Sequence, residues 1–201
     1  MVYKLFLKHV EEYIKVDDEL KVSLTKLFEY RKIKSKTHLQ LAGEPCNFIY
    51  FIISGCLKSY YTDKNGKDHI LSFLSPGLWA SDLNSFINGL HSDYSIMSIM
   101  KTEVLQISRP SFEKLLANHI IMETFFRNIL QGALTTQQTK LVNILSLTSQ
   151  ERYENFLKLY PSVIQHVSYK DIASYLNMTP EHLSFLRKKM LNDEKNSFAS
   201  T

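Results

Sequence analysis

Ser168-Tyr169-Lys170-Asp171-Ile172-Ala173-Ser174-Tyr175-Leu176-Asn177-Met178-Thr179-Pro180-Glu181-His182-Leu183-Ser184-Phe185-Leu186-Arg187-Lys188-Lys189-Met190 contains two helix starts in quick succession. Ser168, followed three residues later by Asp171, makes a capping-box-like start, and Val167 is placed to staple onto Ile172. Thr179 is a second N-cap, Pro180 suits the first helical position, and Met178 can staple onto Leu183. Two short helices are expected, joined by a turn through Leu176, Asn177 and Met178.

In the second helix Leu183, Leu186 and Met190 fall on one face that can pack on Ile172, Ala173 and Leu176. Glu181, Ser184, Phe185 and Lys188 are left on the opposite face, flanked by Arg187 and Lys189. This is the arrangement of a helix-turn-helix reader, whose second helix offers side chains to base edges and cations to phosphates. Glu181 and Ser184 are the candidate base contacts, with His182 and Phe185 beside them; Glu181 can accept from a cytosine amino group. Thr179, Arg187, Lys188 and Lys189 are the candidate phosphate contacts, and Ser168 and Pro180 complete the surface. An ordinary helical pair with a solvated basic face has the same spacing.

The run from Ile172 to Glu181, continued by Leu183-Ser184 and Arg187-Lys188-Lys189, resembles the DNA-binding end of the Crp/Fnr family of bacterial transcription regulators. Glu151-Arg152-Tyr153 with Leu157 and Tyr160-Pro161 is similar to that family's lead-in helix. The family usually has Arg where this chain has Phe185, so an operator preference does not carry over. The resemblance implies double-stranded DNA and a second copy of the chain as partners.

The bulk properties fit a globular protein. The chain has 201 residues, 44% hydrophobic and 22% charged, with a formal net charge of +4. That is enough for two modest domains, and a mildly basic balance permits nucleic acid without demanding it. Cys46 and Cys56 read as reduced, structural thiols. They are too few for the four-cysteine iron–sulfur cluster that some members of the family carry. No apolar run reaches the roughly 20 residues of a membrane helix, and the N-terminus lacks a signal-peptide pattern, so a cytoplasmic location is expected.

Upstream, Phe6, Val10, Tyr13 and Ile14 recur at helical spacing, and Asp17 or Asp18 caps a second helix through Leu20, Leu24 and Phe28. The pattern then changes to short β-forming runs: through Leu39 and Leu41, Phe48 to Ile53, Cys56 to Thr62, His69 to Leu74, Tyr94 to Met100 and Val104 to Ser108. Gly43-Glu44-Pro45, Ser54-Gly55, Asn65-Gly66 and Ser75-Pro76-Gly77 punctuate them, with Asn65-Gly66 a strong hairpin signal. Such strands predict a small antiparallel barrel or jelly roll. Arg109-Pro110-Ser111 opens a further helix. A long one follows from Met122 to Leu147, with Phe126, Ile129, Ala133, Leu141, Ile144 and Leu145 near one side. Its polar centre, Thr135 to Lys140, suits a helix that pairs with its copy better than one buried in a monomer.

The expected fold is therefore α+β: an N-terminal antiparallel β-barrel or jelly roll with flanking helices, a long connecting helix, and a C-terminal helix-turn-helix domain. The expected divisions are a sensor barrel at 1–121, a dimerisation helix at 122–147 and a DNA-binding domain at 148–201. The order of Gly43-Glu44, Phe48 to Gly55, Asn65-Gly66-Lys67 and Pro76-Gly77 also resembles the sensor domain of the Crp/Fnr family. Members that bind cyclic AMP use Gly-Glu-Leu at the ribose and Arg-Ser at the phosphate. The matching residues here are Ser81-Asp82-Leu83 and Tyr94-Ser95. A buried phosphate needs a cation, and no Arg lies between Arg31 and Arg109. The expectation is that this pocket does not bind cyclic AMP in the usual way, leaving an unidentified small-molecule effector or a degenerate sensor.

No cofactor or metal is expected. His69, His91, Cys46 and Cys56 could be haem ligands but carry no supporting motif, and no His-x-His pair marks a cupin-type metal site. Asp82 and Glu103 are isolated carboxylates, and no nucleophile elbow or zinc helix occurs, so an enzyme is not expected. The competing class is a ligand-binding or protein-interaction module that has lost DNA binding. Phe185 and a tail too short for a full β-wing after Met190 keep it open.

Overall fold

The computed structural model describes the backbone of residues 2–161 and 163–199, with side chains up to Asn192. Met1, Ser162, Ser200 and Thr201, which fall within the expected outer divisions, lie outside the described residues. Two helices, α1 (Lys4–Glu11) and α2 (Asp18–Leu27), lead into the strands. Asp17 starts α2 by accepting from the Leu20 N–H at 2.8 Å. The strands are β1 (Glu29–Ile33), β2 (His38–Gln40), β3 (Phe48–Ser54), β4 (Leu57–Thr62), β5 (Asp68–Leu74), β6 (Trp79–Ala80), β7 (Ser95–Ser98) and β8 (Thr102–Ser108). They form two four-stranded antiparallel sheets, ordered β1-β8-β3-β6 and β2-β7-β4-β5.

The run Phe48-Ile49-Tyr50-Phe51-Ile52-Ile53 is almost wholly apolar because β3 is covered on both faces. Tyr50 and Ile52 point between the sheets to Leu57, Ala80, Ile96 and Val104. Ile49 and Phe51 point outward to a second core with Phe6, Val10, Leu24, Phe28 and Phe125. A one-residue slip would exchange the two sets, so the register is strongly specified. At the β3–β4 turn, Gly55 has φ +87°, and a Cβ there would lie 2.5 Å from the Lys101 carbonyl oxygen. No other residue fits that approach without moving the backbone.

The hairpin signalled by Asn65-Gly66 forms, β4 pairing antiparallel with β5 across a five-residue connection in which the Asp63 side chain accepts from the Asn65 and Lys67 N–H groups. Several expectations need correcting in detail. The short strand β6 and the helix α3 (Leu83–Asn88) were not anticipated. The first helix stops at Glu11, with Ile14 folded back by a hydrogen bond to the Val10 carbonyl.

Helix α4 (Arg109–Asn118) returns the chain to α5 (Ile121–Ser146), after which come α6 (Ser149–Leu159), α7 (Tyr169–Tyr175) and α8 (Pro180–Ala199). The apolar residues of α5 do not share one partner. Met122, Phe125, Phe126 and Ile129 pack on the barrel, whereas Leu130, Leu134, Leu141, Val142 and Leu145 are exposed. Ala133 is exposed as well. Helix α8 is also not short: it spans 20 residues. None of the helices among the described residues is long and apolar enough to cross a membrane.

Candidate nucleic-acid interface

Each helix start in the C-terminal part is built from its own cap. Ser168 Oγ accepts from the Asp171 N–H at 3.1 Å, and Thr179 Oγ accepts from the His182 N–H at 3.2 Å. Between them Asn177 takes the left-handed conformation at φ 54°, which Asn tolerates better than most residues. Ile172, Ala173, Leu176 and Leu183 are buried together with Tyr153, Phe156 and Val163 of the preceding segment. Arg152 locks α6 onto this turn by donating to the carbonyls of Leu176 (3.1 Å) and Leu147 (2.7 Å).

The buried side of α8 leaves its other side open. Thr179, Pro180, Glu181, His182, Ser184, Phe185, Lys188 and Lys189 are all exposed. Pro180, Glu181, Ser184, Phe185 and Lys188 line one shallow hollow. Phe185 is 63% exposed, a large apolar group among polar ones. Arg187 is held differently: its guanidinium lies 4.1 Å from the centroid of the Tyr169 ring, a cation–π contact that pre-orders it beside the N-terminus of α7. Ser168 is exposed, but its hydroxyl is engaged in its cap.

The tentative effector residues are only partly brought together. Tyr94 OH donates to the Ser81 carbonyl at 2.9 Å, and burial pushes its phenol pKa up, so it stays a donor. Asp82 caps α3 by accepting from the Ser85 N–H at 3.1 Å; its other oxygen accepts from Ser92 Oγ at 2.7 Å and the Asp93 N–H at 3.3 Å. Leu83 turns instead toward the outer core. Ser95 Oγ faces the other way and accepts from the Ala42 N–H at 3.0 Å. Cys46 and Cys56 are free and buried. Burial raises the Cys56 thiol to about 12, which makes it inert as a nucleophile. Among the described residues no cluster of His, Cys, Asp or Glu could hold a metal ion.

The profile of the cyclic nucleotide-binding domain family matches residues 30–119. The cAMP-activated global transcriptional regulator CRP of Salmonella typhimurium (strain LT2) is 31% identical over 85 residues, 42% of this chain and 40% of that regulator's length. The structure of FixK2 from Bradyrhizobium japonicum superposes with a TM-score of 0.69 at 19% identity, covering 83% of this chain and 86% of the other. Residues 30–119 are thus similar to a cyclic nucleotide-binding domain, and this chain spans well under half the length of the curated regulators it matches. A second structure, that of the c-di-GMP responsive global regulator CLP of Xanthomonas campestris, superposes at the same TM-score of 0.69 and 16% identity, over 89% of this chain and 93% of that one. The fold shared with these two structures thus extends beyond the matched domain into the C-terminal helices.

Sequence reasoning passed over four residues at the junction of the two parts. Lys58 of β4 forms an ion pair with Asp171 of α7 at 3.0 Å. Ser174 Oγ accepts from the Ile70 N–H of β5. Lys140 of α5 donates to the Leu71 carbonyl at 2.6 Å and lies 4.0 Å from the Tyr175 ring centroid. Burial draws the Lys140 amine down to about 8. No local pattern marks these contacts, because each hydrogen bond reaches across more than 60 residues of chain; Asp171 was legible only as part of a helix start, and Lys140 only as a lysine amid the polar centre of a long helix.

Proposed function

We propose that the protein is a sequence-specific DNA-binding transcription regulator, working as a homodimer through α5, with a barrel that does not bind cyclic AMP in the usual way. The observation that carries this reading is the two-sidedness of α8. Its Leu183 is buried with residues of α6 and α7, and Leu186 is buried on the same side, while Glu181, Ser184, Lys188 and Lys189 are exposed on the opposite side. A helix supported so and bare so can enter a major groove as a rigid body. Lys188 and Lys189 supply phosphate contacts, Glu181 and Ser184 reach base edges, and His182 and Phe185 offer contact to a thymine methyl.

The homodimer is supported by the free half of α5. Leu130, Leu134 and Leu141 are exposed at spacings of four and seven residues, and Leu145 beyond them is 78% exposed. Apolar side chains at this spacing form a seam with a second helix. Two α8 helices in such a dimer would read half-sites about 34 Å apart. Against cyclic AMP stand the residues that would meet it: Tyr94 in place of an arginine, and Asp82 with its oxygens already engaged.

Phe185 gives a second reading, an interaction module that no longer touches DNA, because an exposed aromatic ring is also the anchor of a protein interface. Selection of bound sequences from a random duplex pool separates the two. The regulator enriches a two-fold symmetric site; the interaction module enriches nothing.

A further inference from the structure

Strand β5 is an open edge of its sheet, in the order β2-β7-β4-β5, and an open edge carries backbone groups without partners. Here side chains from the C-terminal half supply them. Ser174 Oγ of α7 accepts from the Ile70 N–H at 3.0 Å and donates to the Asp68 carbonyl at 3.2 Å. One residue further on, a bulge takes Leu71 out of register, since Ile70 faces Tyr60 and Ser72 faces Ser59. The Leu71 carbonyl accepts from Lys140 Nζ. One ammonium therefore touches the barrel edge and, through the Tyr175 ring, the first helix of the helix-turn-helix. From the neighbouring strand Lys58 pairs with Asp171, their side chains only 9% and 20% exposed.

Apolar contacts join the same parts: the Phe73 ring packs on Phe156, Tyr160 and Tyr175. Such contacts are non-directional and tolerate sliding. Hydrogen bonds and a shielded ion pair do not, because they weaken steeply with distance and angle and leave unpaired groups when broken. A buried ion pair adds little net stability but can single out one arrangement.

We propose that the bulged edge of β5 is the mount that fixes the direction in which α8 projects, with Ser174, Lys140, Lys58 and Asp171 as its positioning residues. The proposal rests on the DNA-binding reading for its consequence, though not for its geometry. Release of α7 would strand the Ile70 N–H and the Asp68 carbonyl, which Ser174 serves, so the docked direction is the ground state. The barrel then acts on DNA recognition through this edge without any residue of β5 touching DNA.

Two readouts on the full chain test it. In Ser174→Ala the Ile70 amide should exchange with solvent at least about tenfold faster, and Ser174→Thr should keep the slow rate. Lys58→Glu should weaken duplex binding by about tenfold or more while leaving its salt slope unchanged, since no phosphate contact is lost. The reversed pair, Lys58→Glu with Asp171→Lys, should restore the affinity, with circular dichroism checking that each variant folds. Unchanged Ile70 exchange in Ser174→Ala overturns the proposal, and so does unchanged or tighter duplex binding in Lys58→Glu. If the unmodified chain binds no duplex, the DNA-binding reading fails by itself, and the mount stands or falls on the Ile70 exchange rate.

Discussion

Around α3 the chain turns its polar groups on itself, with Asp82 accepting from Ser85, Ser92 and Asp93 and Tyr94 donating to Ser81. Along α8 it does the reverse: Glu181, Ser184, Lys188 and Lys189 stand on an exposed face that begins at the Thr179 cap. The two regions hold similar residue types, so composition does not separate them. What separates them is whether hydrogen-bonding capacity is already spent. A carboxylate that caps its own helix must break that cap to meet a ribose, at the cost of a buried donor or acceptor left unpaired. An exposed lysine exchanges only water and counterions for a phosphate.

The contrast is broken most forcefully at the dimer seam. Leu134→Glu combined with Leu141→Glu places like charges on the paired helices; sedimentation should show a monomer, and duplex affinity should fall by about a hundredfold as the second half-site is lost. A smaller effect follows at the open face. Lys188→Ala should weaken binding to all sequences by about tenfold and reduce the salt slope by about 0.9 per protomer, whereas Glu181→Ala should relax preference at one base pair of each half-site. At the closed cassette, Tyr94→Phe should cost about 1 kcal/mol in urea unfolding, from the lost hydrogen bond to Ser81, and should create no calorimetric signal with cyclic AMP. The smallest effect concerns pH. His9 Nε2 accepts from Trp79 Nε1 at 3.2 Å, and burial pulls its pKa below the ordinary value despite the raising influence of Glu12. The folded state therefore binds the proton later than the unfolded chain. Its contribution is fully present above about pH 6.5 and is lost as pH falls through the lower folded value. Urea unfolding of His9→Gln at pH 7.5 and 5 should show a smaller acid loss than the unmodified chain.

Much of the architecture was legible in the sequence because its signals are local. Ser168 and Thr179 are caps that act within three residues, and Gly55 marks a turn that only a bare Cα can make. The covered run of β3 shows in its composition. The face of α5 misled because its period continues unbroken from Phe126 to Leu145, while its partner changes midway from the barrel to open surface. Lys58, Ser174 and Lys140 were invisible for a related reason: their partners are set by the docking of α7 on β5, which no spacing along the chain encodes. At Asp82 a carboxylate shorter than the family's was legible, but its use as the cap of the unanticipated α3 was not.

The most direct test of the account is an anisotropy titration of the full chain with its selected duplex at two salt concentrations, each repeated with cyclic AMP present. The account predicts binding that weakens steeply with salt and is unmoved by the nucleotide. No binding at low salt, or an affinity that cyclic AMP changes, would contradict it.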